Sequence, residues 1–261
     1  MKDDVSPVLD VKNLDVSRSN FKVIEKASFS INRGDYVGIV GPNGGGKTTL
    51  LLSILGQIQR DGGQIKLLGQ DIDRFKEWDK VAHVPQDAVN FDNNFPLTVR
   101  ELVSLGRVRR ANLGRRLREA DWDKVDESLE LLGISDLANR RIGNLSGGEK
   151  QRAFVAKALV RDPEMIFLDE PLSGVDADTQ EKFYMVLSNL NQKRRITLIV
   201  VSHDLAAVFC RMSRVICVNR YVYDSEVNAN TDPNILLRKA YGEHFQFVFH
   251  RHNCQVVFNG T

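Results

Sequence analysis

Three short apolar runs stand out along the chain, at residues 36–40, 165–168 and 197–201. Each run has the length of a strand, and each is followed by glycine or by polar and charged residues. Strands that are covered on both faces, as in parallel sheets, are continuously apolar rather than alternating. The pattern therefore predicts an α/β core built on a parallel sheet.

The rest of the chain predicts two other kinds of structure. Residues 8–11 and 27–31 have the composition of short strands, so we expect an antiparallel β subdomain near the N-terminus. Residues 87–145 are rich in arginine and contain no strand-like run, which predicts a helical insert. Apolar residues three or four positions apart predict an amphipathic helix that ends at Gly133: Trp122, Val125, Leu129 and Leu132.

The composition narrows the classes of protein that the chain can belong to. Hydrophobic residues make up 42% and charged residues 27%, which is typical of a globular protein. The formal net charge of +2 is too small to indicate binding to nucleic acid or to an anionic membrane. Three cysteines are too few for a disulfide framework and indicate a reducing compartment. The N-terminal residues lack the apolar core of a signal peptide, and no run reaches the roughly 20 apolar residues that span a bilayer. We expect a cytoplasmic protein whose membrane-spanning part, where it has one, is another chain.

A glycine-rich segment follows the first apolar run and precedes a helix-like segment that ends at Gly56. Residues 41–48 fit the G-x4-G-K-[ST] pattern of the Walker A loop. Its backbone N–H groups and the positive end of the next helix favour phosphate. Lys47 is expected to reach the β- and γ-phosphates of ATP, and Thr48 to bind Mg²⁺. The predicted ATP-binding residues of this segment are Gly41, Pro42, Asn43, Gly44, Gly45, Gly46, Lys47, Thr48 and Thr49.

The second apolar run ends in two acids, Asp169 and Glu170, and fits a Walker B strand. We expect Asp169 to hold the magnesium ion and Glu170 to act as the general base that polarises the attacking water. An apolar run that ends in two acids is common by itself. Its position after a Walker A loop makes the interpretation strong.

Residues 145–149, Leu-Ser-Gly-Gly-Glu, resemble the signature of the ABC ATPases, the third motif in order. A serine and two glycines at the start of a helix form a second anion site. In the family this segment contacts the ATP held by the partner subunit. The resemblance thus implies a head-to-tail homodimer, in which Ser146, Gly147, Gly148 and Glu149 face the other subunit's nucleotide.

Three further residues are similar to family elements in the expected order. Gln86 resembles the Q-loop glutamine, a magnesium ligand and γ-phosphate sensor. Asp176, in Ser173-Gly-Val-Asp, resembles the D-loop aspartate, and His203 resembles the switch histidine. The resemblance implies catalytic roles for Glu170, His203 and Gln86.

The chain departs from the family pattern at two positions. Arg18 occupies the place of the usual adenine-stacking aromatic residue, and Phe21 follows three residues later. A guanidinium plane can also stack on a base, so either residue can serve. The signature ends in Glu149 where glutamine is commoner, and we expect this residue to face solvent or its own helix N-terminus with little effect on function.

The resemblance implies a division of the chain into three parts. Residues 1–86 and 146–225 would form a discontinuous nucleotide-binding core, residues 87–145 a helical subdomain that contacts the membrane partner, and residues 226–261 a C-terminal tail. The single Walker A loop and the absence of long heptad repeats argue against twin-cassette and chromosome-associated members. We therefore expect a transporter subunit, peripheral on the inner face of the membrane.

The cargo is predicted from weaker likenesses. Residues 91–107 resemble the Q-loop region of subunits from metal-ion and iron-chelate importers, and residues 140–143 are similar to the zinc and manganese branch. A transition-metal importer implies permease subunits and, indirectly, an extracytoplasmic solute-binding protein. The alternatives are an iron-siderophore or cobalamin importer, and a nucleic-acid-associated ABC ATPase without a membrane partner. The arginines at 107–118 lack interleaved aromatic residues, so we expect no nucleic acid and interpret them as a solvated helix face or a face near anionic headgroups. His250, His252 and Cys254 alternate in the tail and are candidate zinc ligands, although a merely solvated tail is the simpler interpretation.

Overall fold

The contacts between Cα atoms group the chain into two units, residues 1–76 with 197–261 and residues 77–196. The computed structural model describes residues 6–89, 95–109, 112–172, 174–228 and 231–246. Its strands, in chain order, are β1 (Leu9–Arg18), β2 (Phe21–Ile31), β3 (Tyr36–Val40), β4 (Gly62–Leu67), β5 (Gln70–Asp71), β6 (Val81–Val84), β7 (Met165–Asp169), β8 (Thr197–Val201), β9 (Arg214–Asn219) and β10 (Tyr221–Glu226). Its α-helices are α1 (Lys47–Ile54), α2 (Val99–Ser104), α3 (Glu119–Leu131), α4 (Gly147–Leu159), α5 (Ala177–Arg194), α6 (Leu205–Arg211) and α7 (Pro233–Tyr241).

The first unit contains an antiparallel sheet and a mainly parallel one. The antiparallel sheet has the order β2-β1-β4-β5, with β1 paired to both β2 and β4. In the other sheet β3 pairs in parallel with β8 and β9, and β10 adds an antiparallel edge to β9. All five residues of β3 and of β8 are buried, as strands covered on both faces require.

In its described residues, the second unit contains the parallel pair β6 and β7 together with the α-helices α2, α3, α4 and α5. Every residue of β7 is buried. The helix predicted from apolar spacing is α3, where Val125 and Leu129 are buried, and it gives way to Gly133 in a left-handed conformation (φ 62°). Residues 99–107 and 135–144 form α2 and short 3₁₀ turns, so the helical character predicted for this region is confirmed.

The structure thus confirms the predicted class, a P-loop type α/β core with an antiparallel β subdomain and a helical region. The three-part division of the chain stays a prediction. Helix α7 lies inside the segment that the sequence analysis treated as a tail, and it was not predicted. Asp232 caps it by accepting a hydrogen bond from the Asn234 N–H, and Pro233 occupies its first turn, where a missing N–H costs nothing.

Among the residues that the structure describes, no helix is long and apolar enough to cross a membrane.

Candidate functional site

The glycine-rich loop joins the buried strand β3 to helix α1, as its sequence predicts. Lys47 is the first residue of α1 and only 5% exposed. Its ammonium donates to the carbonyl oxygens of Gly41 at 3.0 Å and Pro42 at 3.1 Å. Gly46 caps the helix in a left-handed conformation without any side-chain hydrogen bond. A buried cation beside a helix start that carries no side-chain cap is an arrangement suited to phosphate.

The other predicted loop residues differ in their exposure. Asn43, Gly44 and Thr48 are exposed, whereas Gly41 and Gly45 are buried. Pro42, Gly46 and Thr49 are partly buried. Gly41 has the closest backbone neighbour, since a Cβ at this position would lie 2.0 Å from the carbonyl oxygen of Val218. No other residue type fits there without displacing the backbone.

The two candidates for adenine contact face each other across one hairpin. Arg18 ends β1 and pairs with Phe21, the first residue of β2, across the turn at Ser19 and Asn20. Farther along β2, the side chain of Val23 lies 3.0 Å from where a Cβ of Gly46 would be, so this strand lies against the phosphate loop. The Phe21 side chain is 77% exposed, and Arg18 is also exposed. Both assignments stay predictions.

The two acids predicted as Walker B end the buried strand β7. Asp169 is 3% exposed. Glu170 follows in a left-handed backbone conformation (φ 45°), which costs a non-glycine residue about 1 kcal/mol. Its carboxylate Oε2 accepts a hydrogen bond of 2.8 Å from Nε2 of Gln86, which lies in the turn after β6. The structure thus brings together two residues, 84 positions apart, for which the family resemblance implied catalytic roles.

The signature segment begins helix α4. Ser146 is its N-cap and forms a reciprocal capping box with Glu149, in which Glu149 Oε2 accepts from the Ser146 N–H at 2.7 Å. This backbone hydrogen bond holds the pKa of Glu149 below its usual value. The prediction that Glu149 faces its own helix N-terminus therefore agrees with the structure. Ser146 and Gly147 are exposed, whereas Gly148 is buried. A Cβ at Gly148 would lie 2.2 Å from Cγ2 of Thr179, so the position has no room for a larger residue.

The predicted residues Asp176 and His203 each lie at or next to the start of a helix. Asp176 is exposed and is the N-cap of α5, where its side chain accepts from the Thr179 N–H at 3.0 Å. That hydrogen bond lowers the pKa of Asp176. His203 is exposed and follows β8, one residue before Asp204 caps α6. Ser173 of the predicted D-loop lies outside the described residues.

Among the described residues, the arginines of the stretch 107–118 lie outside the α-helices. Arg107 is half-buried, and its guanidinium binds the Asp121 carboxylate and the Val160 carbonyl. Arg115, Arg116 and Arg118 are exposed in the turn and extended segment before α3. The interpretation as a solvated helix face is therefore wrong for Arg107, which instead joins α3 to the end of α4.

The tail candidates His250, His252 and Cys254 lie outside the described residues. Within the described residues, no group of histidine, cysteine, aspartate and glutamate side chains could hold a metal ion. The proposed zinc site of the tail stays a prediction.

A cleft of about 390 Å³ in the second unit was not predicted. It lies between the turn after β6 and the C-terminal half of α4, and its lining includes His83, Leu105 and Lys157. Nε2 of His83 is buried without a hydrogen-bond partner, and burial lowers the pKa of this imidazole. Burial also lowers the pKa of Lys157, whose ammonium lies 5.7 Å from the centre of the Phe154 ring. The cleft therefore offers a cation and a buried ring nitrogen to an outside group.

A strand that leads through a glycine-rich loop to a buried first-turn lysine defines a P-loop nucleotide-binding protein. Comparison with known protein families identifies the family: the family model described as ABC transporter matches residues 24–173 of this chain. This chain belongs to the ABC transporter family. Membership in this family implies ATP binding and ATP hydrolysis.

The similar proteins include subunits of metal transporters. The zinc uptake system ATP-binding protein ZurA of Listeria innocua is 36% identical over 225 residues, 86% of this chain and 88% of the relative. The manganese transport system ATP-binding protein MntB of Halalkalibacterium halodurans is 36% identical over 217 residues, 83% of this chain and 84% of the relative. Among solved structures, the dimeric ATP-binding cassette MJ0796 with ADP and phosphate is 25% identical, with a TM-score of 0.70 over 85% of this chain and 99% of that chain. The resemblance to the zinc and manganese branch is confirmed.

Proposed function

We propose that this chain is the ATP-hydrolysing subunit of an ABC importer, which energises uptake of zinc or manganese through a separate membrane permease. The names of the zinc and manganese relatives support this cargo, since each matches more than four fifths of the chain. In this role the protein converts ATP and water to ADP and phosphate at the inner face of the cell membrane. A solute-binding protein outside the cell is an indirect partner.

The phosphate loop, residues 41–49, binds the ATP phosphates in this proposal, and Lys47 carries the counter-charge. Mg²⁺ takes oxygen ligands, which the hydroxyl of Thr48, the amide of Gln86 and the carboxylate of Asp169 can supply. Arg18 or Phe21 contacts the adenine base. The exposed Phe21 ring is available for stacking, and so is the Arg18 guanidinium.

The hydrogen bond between Gln86 and Glu170 is the observation that carries the hydrolytic step. Glu170 acts as the general base, and the Gln86 amide fixes one of its oxygens at 2.8 Å. An amide donor keeps the carboxylate in place without protonating it, so the second oxygen can be directed at water. The strained backbone at Glu170 supports this role, because such conformations are found preferentially at active sites.

Two subunits complete the sites in a head-to-tail homodimer. Ser146, Gly147 and Gly148 contact the nucleotide held by the partner, and Glu149 holds their helix start in shape. Asp176 belongs to the same shared interface, and His203 contacts the γ-phosphate. The exposure of Ser146 and Gly147 supports an intermolecular role for the signature.

The permease docks at the cleft beside His83 and Lys157 in this proposal, and the helical subdomain, residues 87–145, shares in that contact. One wall of the cleft leads through Pro85 to Gln86, and the other is the last turns of α4, the signature helix. A partner segment seated there would touch both elements at once. A carboxylate on that segment would match Lys157.

Replacing the base tests the hydrolytic step. We expect Glu170→Gln to bind ATP and to hydrolyse it at least about a hundredfold more slowly, the usual effect of removing a general base. ATPase rates and nucleotide binding are measured on the purified protein, with Glu130→Gln on the exposed face of α3 as the matched control. Turnover within a few-fold of wild type would remove Glu170 from this role.

Cellular metal content tests the cargo. Cells that carry Lys47→Ala are compared with wild-type cells under chelator stress, and zinc, manganese and iron are quantified. Selective loss of zinc or manganese is expected, and Lys157→Glu should lower the same metal if the permease docks at the cleft. Lys193→Glu, on the exposed end of α5, is the control. Unchanged levels of all three metals would reject the metal-importer proposal and leave the ATPase assignment standing.

A further inference from the structure

The turn between strands β9 and β10 is a single residue with a costly backbone conformation. Asn219 ends β9 and pairs with Tyr221, the first residue of β10, so Arg220 alone makes the connection. Its φ of 59° is left-handed, a conformation that glycine adopts without steric cost and that other residues adopt rarely. Such conformations are found preferentially at functional sites, which makes Arg220 a candidate for a functional role.

The backbone of Arg220 joins the phosphate loop to strand β2. Its N–H donates to the carbonyl oxygen of Gly45 at 3.2 Å. Its own carbonyl oxygen accepts from the Glu25 N–H at 2.8 Å, and Arg220 forms an isolated parallel bridge with Ile24. Both main-chain polar groups of Arg220 are therefore used, one on a residue of the loop and the other on a residue of β2.

The side chain of Arg220 adds an ion pair to the same strand. Its Nε donates to Oε2 of Glu25 at 2.9 Å, and the Glu25 side chain is only 19% exposed. A charge-assisted hydrogen bond to a mostly enclosed carboxylate is stronger than a fully solvated ion pair. Cζ of Arg220 also lies 6.0 Å from the centre of the Tyr221 ring, within the range of a cation–π contact. Glycine at this position would relieve the backbone but could form neither contact.

Strand β2 leads to both candidates for adenine contact. Phe21 is its first residue, and Arg18 lies opposite Phe21 in the pairing with β1. Val23 lies against the phosphate loop, since its Cγ1 would be 3.0 Å from a Cβ on Gly46. Glu25, which Arg220 holds, is two residues farther along the strand. A shift of β2 relative to the loop would therefore change the distance between the loop and the two candidates for adenine contact.

We propose that Arg220 is a positioning residue that aligns strand β2 with the phosphate loop, so that the base and the phosphates of one ATP molecule reach their contacts together. The inference rests on the proposed function, in which the loop binds the phosphates and Arg18 or Phe21 contacts the base. Without the ion pair to Glu25, β2 and the loop are aligned for only part of the time. The apparent Kd of a ligand that needs this alignment rises as the aligned fraction falls.

Two ligands separate alignment of β2 from support of the loop itself. MgATP has to reach the loop and β2 together, whereas magnesium tripolyphosphate offers phosphates without a base. Arg220→Gly keeps the tight turn and loses the ion pair. We expect it to raise the Kd for MgATP about two- to fivefold, with kcat at saturating ATP within about twofold of wild type. The Kd for magnesium tripolyphosphate, measured by the same titration calorimetry, should not change.

Two further variants separate this effect from a loss of folding. Arg220→Lys keeps a cation that can pair with Glu25 and should restore most of the affinity for MgATP. Arg195→Gly is the matched control and should change neither Kd, since Arg195 is another exposed arginine with a left-handed backbone (φ 52°), at the end of α5. The thermal midpoint of Arg220→Gly should stay close to that of wild type, because relief of the backbone offsets the lost ion pair.

An unchanged Kd for MgATP in Arg220→Gly, or an equal rise for both ligands, would overturn the alignment role. An Arg220→Lys variant that bound MgATP no more tightly than Arg220→Gly would also overturn it. Failure of the proposed function gives different results. Lys47→Ala would then bind both ligands as tightly as wild type, or the double variant Arg18→Ala/Phe21→Ala would bind MgATP as tightly as wild type.

Discussion

Two helix starts in this molecule carry consecutive glycines, yet they differ in the residues that flank them. Helix α1 has no side-chain cap at Gly46, and its first residue is the buried Lys47. Helix α4 is capped by its own Ser146, and its third residue is an acid, Glu149. One helix start carries a cation and the other an anion, although both present the same positive backbone dipole.

The difference indicates which helix start can bind phosphate alone. The α1 start combines a dipole with an enclosed ammonium, so it can hold a polyanion within one chain. The α4 start is exposed, and the Glu149 carboxylate partly offsets its dipole. In the cap, the oxygen of the Ser146 hydroxyl accepts a hydrogen bond from the Glu149 N–H, so the hydroxyl can still donate its proton to a ligand. The signature is therefore suited to a nucleotide that another subunit already holds.

Removing the lysine at the α1 start should have the largest effect on the affinity for ATP. Lys47→Ala removes the buried ammonium, and we expect the Kd for MgATP to rise about a hundredfold, the order expected for loss of strong charge-assisted hydrogen bonds. Ser146→Ala, the matched change at the α4 start, should leave the Kd of the single subunit unchanged. Isothermal titration decides the point, and equal Kd values for Lys47→Ala and wild type would contradict it.

Changes of Glu149 at the α4 start should have a smaller effect, on thermal stability. Glu149→Ala removes half of the capping box and should lower the thermal midpoint by about 2 °C, corresponding to roughly 1 kcal/mol. Glu149→Gln keeps the hydrogen-bonding geometry and loses only the charge, so its midpoint should fall by less.

The pH dependence separates charge from geometry at this position. The folded-state pKa of Glu149 is lowered, so the stability contributed by its charge is present at pH 7 and is lost as the pH falls through that folded pKa. The difference in stability between wild type and Glu149→Gln should therefore shrink as the pH falls below the ordinary glutamate pKa of about 4.3 and disappear below the lowered folded-state pKa. A difference that persisted there would show that the charge contributes nothing.

Local sequence predicted the parts of the site that depend on neighbouring residues. The phosphate loop, the end of β7 and the capping role of Glu149 each lie within one strand-to-helix connection, where turn and cap chemistry determine the structure. The hydrogen bond from Gln86 to Glu170 joins residues 84 positions apart. Only the family resemblance, and no spacing rule, placed these two residues in one step.

Two features that were not predicted, helix α7 and the ion pair of Arg107, differ in how much local signal they carried. Helix α7 did carry a local signal, since Asp232 and Pro233 form a typical helix start before two buried leucines. Its attachment to β9, where the Asn219 side chain donates to the Ala240 carbonyl, has no signal in the sequence. Arg107 belonged by composition to a solvated basic stretch, but the fold provides the Asp121 carboxylate that partly buries it.

In the proposed dimer, the α1 start of one subunit and the α4 start of another share each ATP. The most direct test is the mass and ATP content of Glu170→Gln, with and without Ser146→Arg, by light scattering and nucleotide quantification. We expect ATP-dependent dimers with two ATP molecules for Glu170→Gln, and ATP-bound monomers for the double variant. Dimers that persist with ATP in the double variant would contradict it.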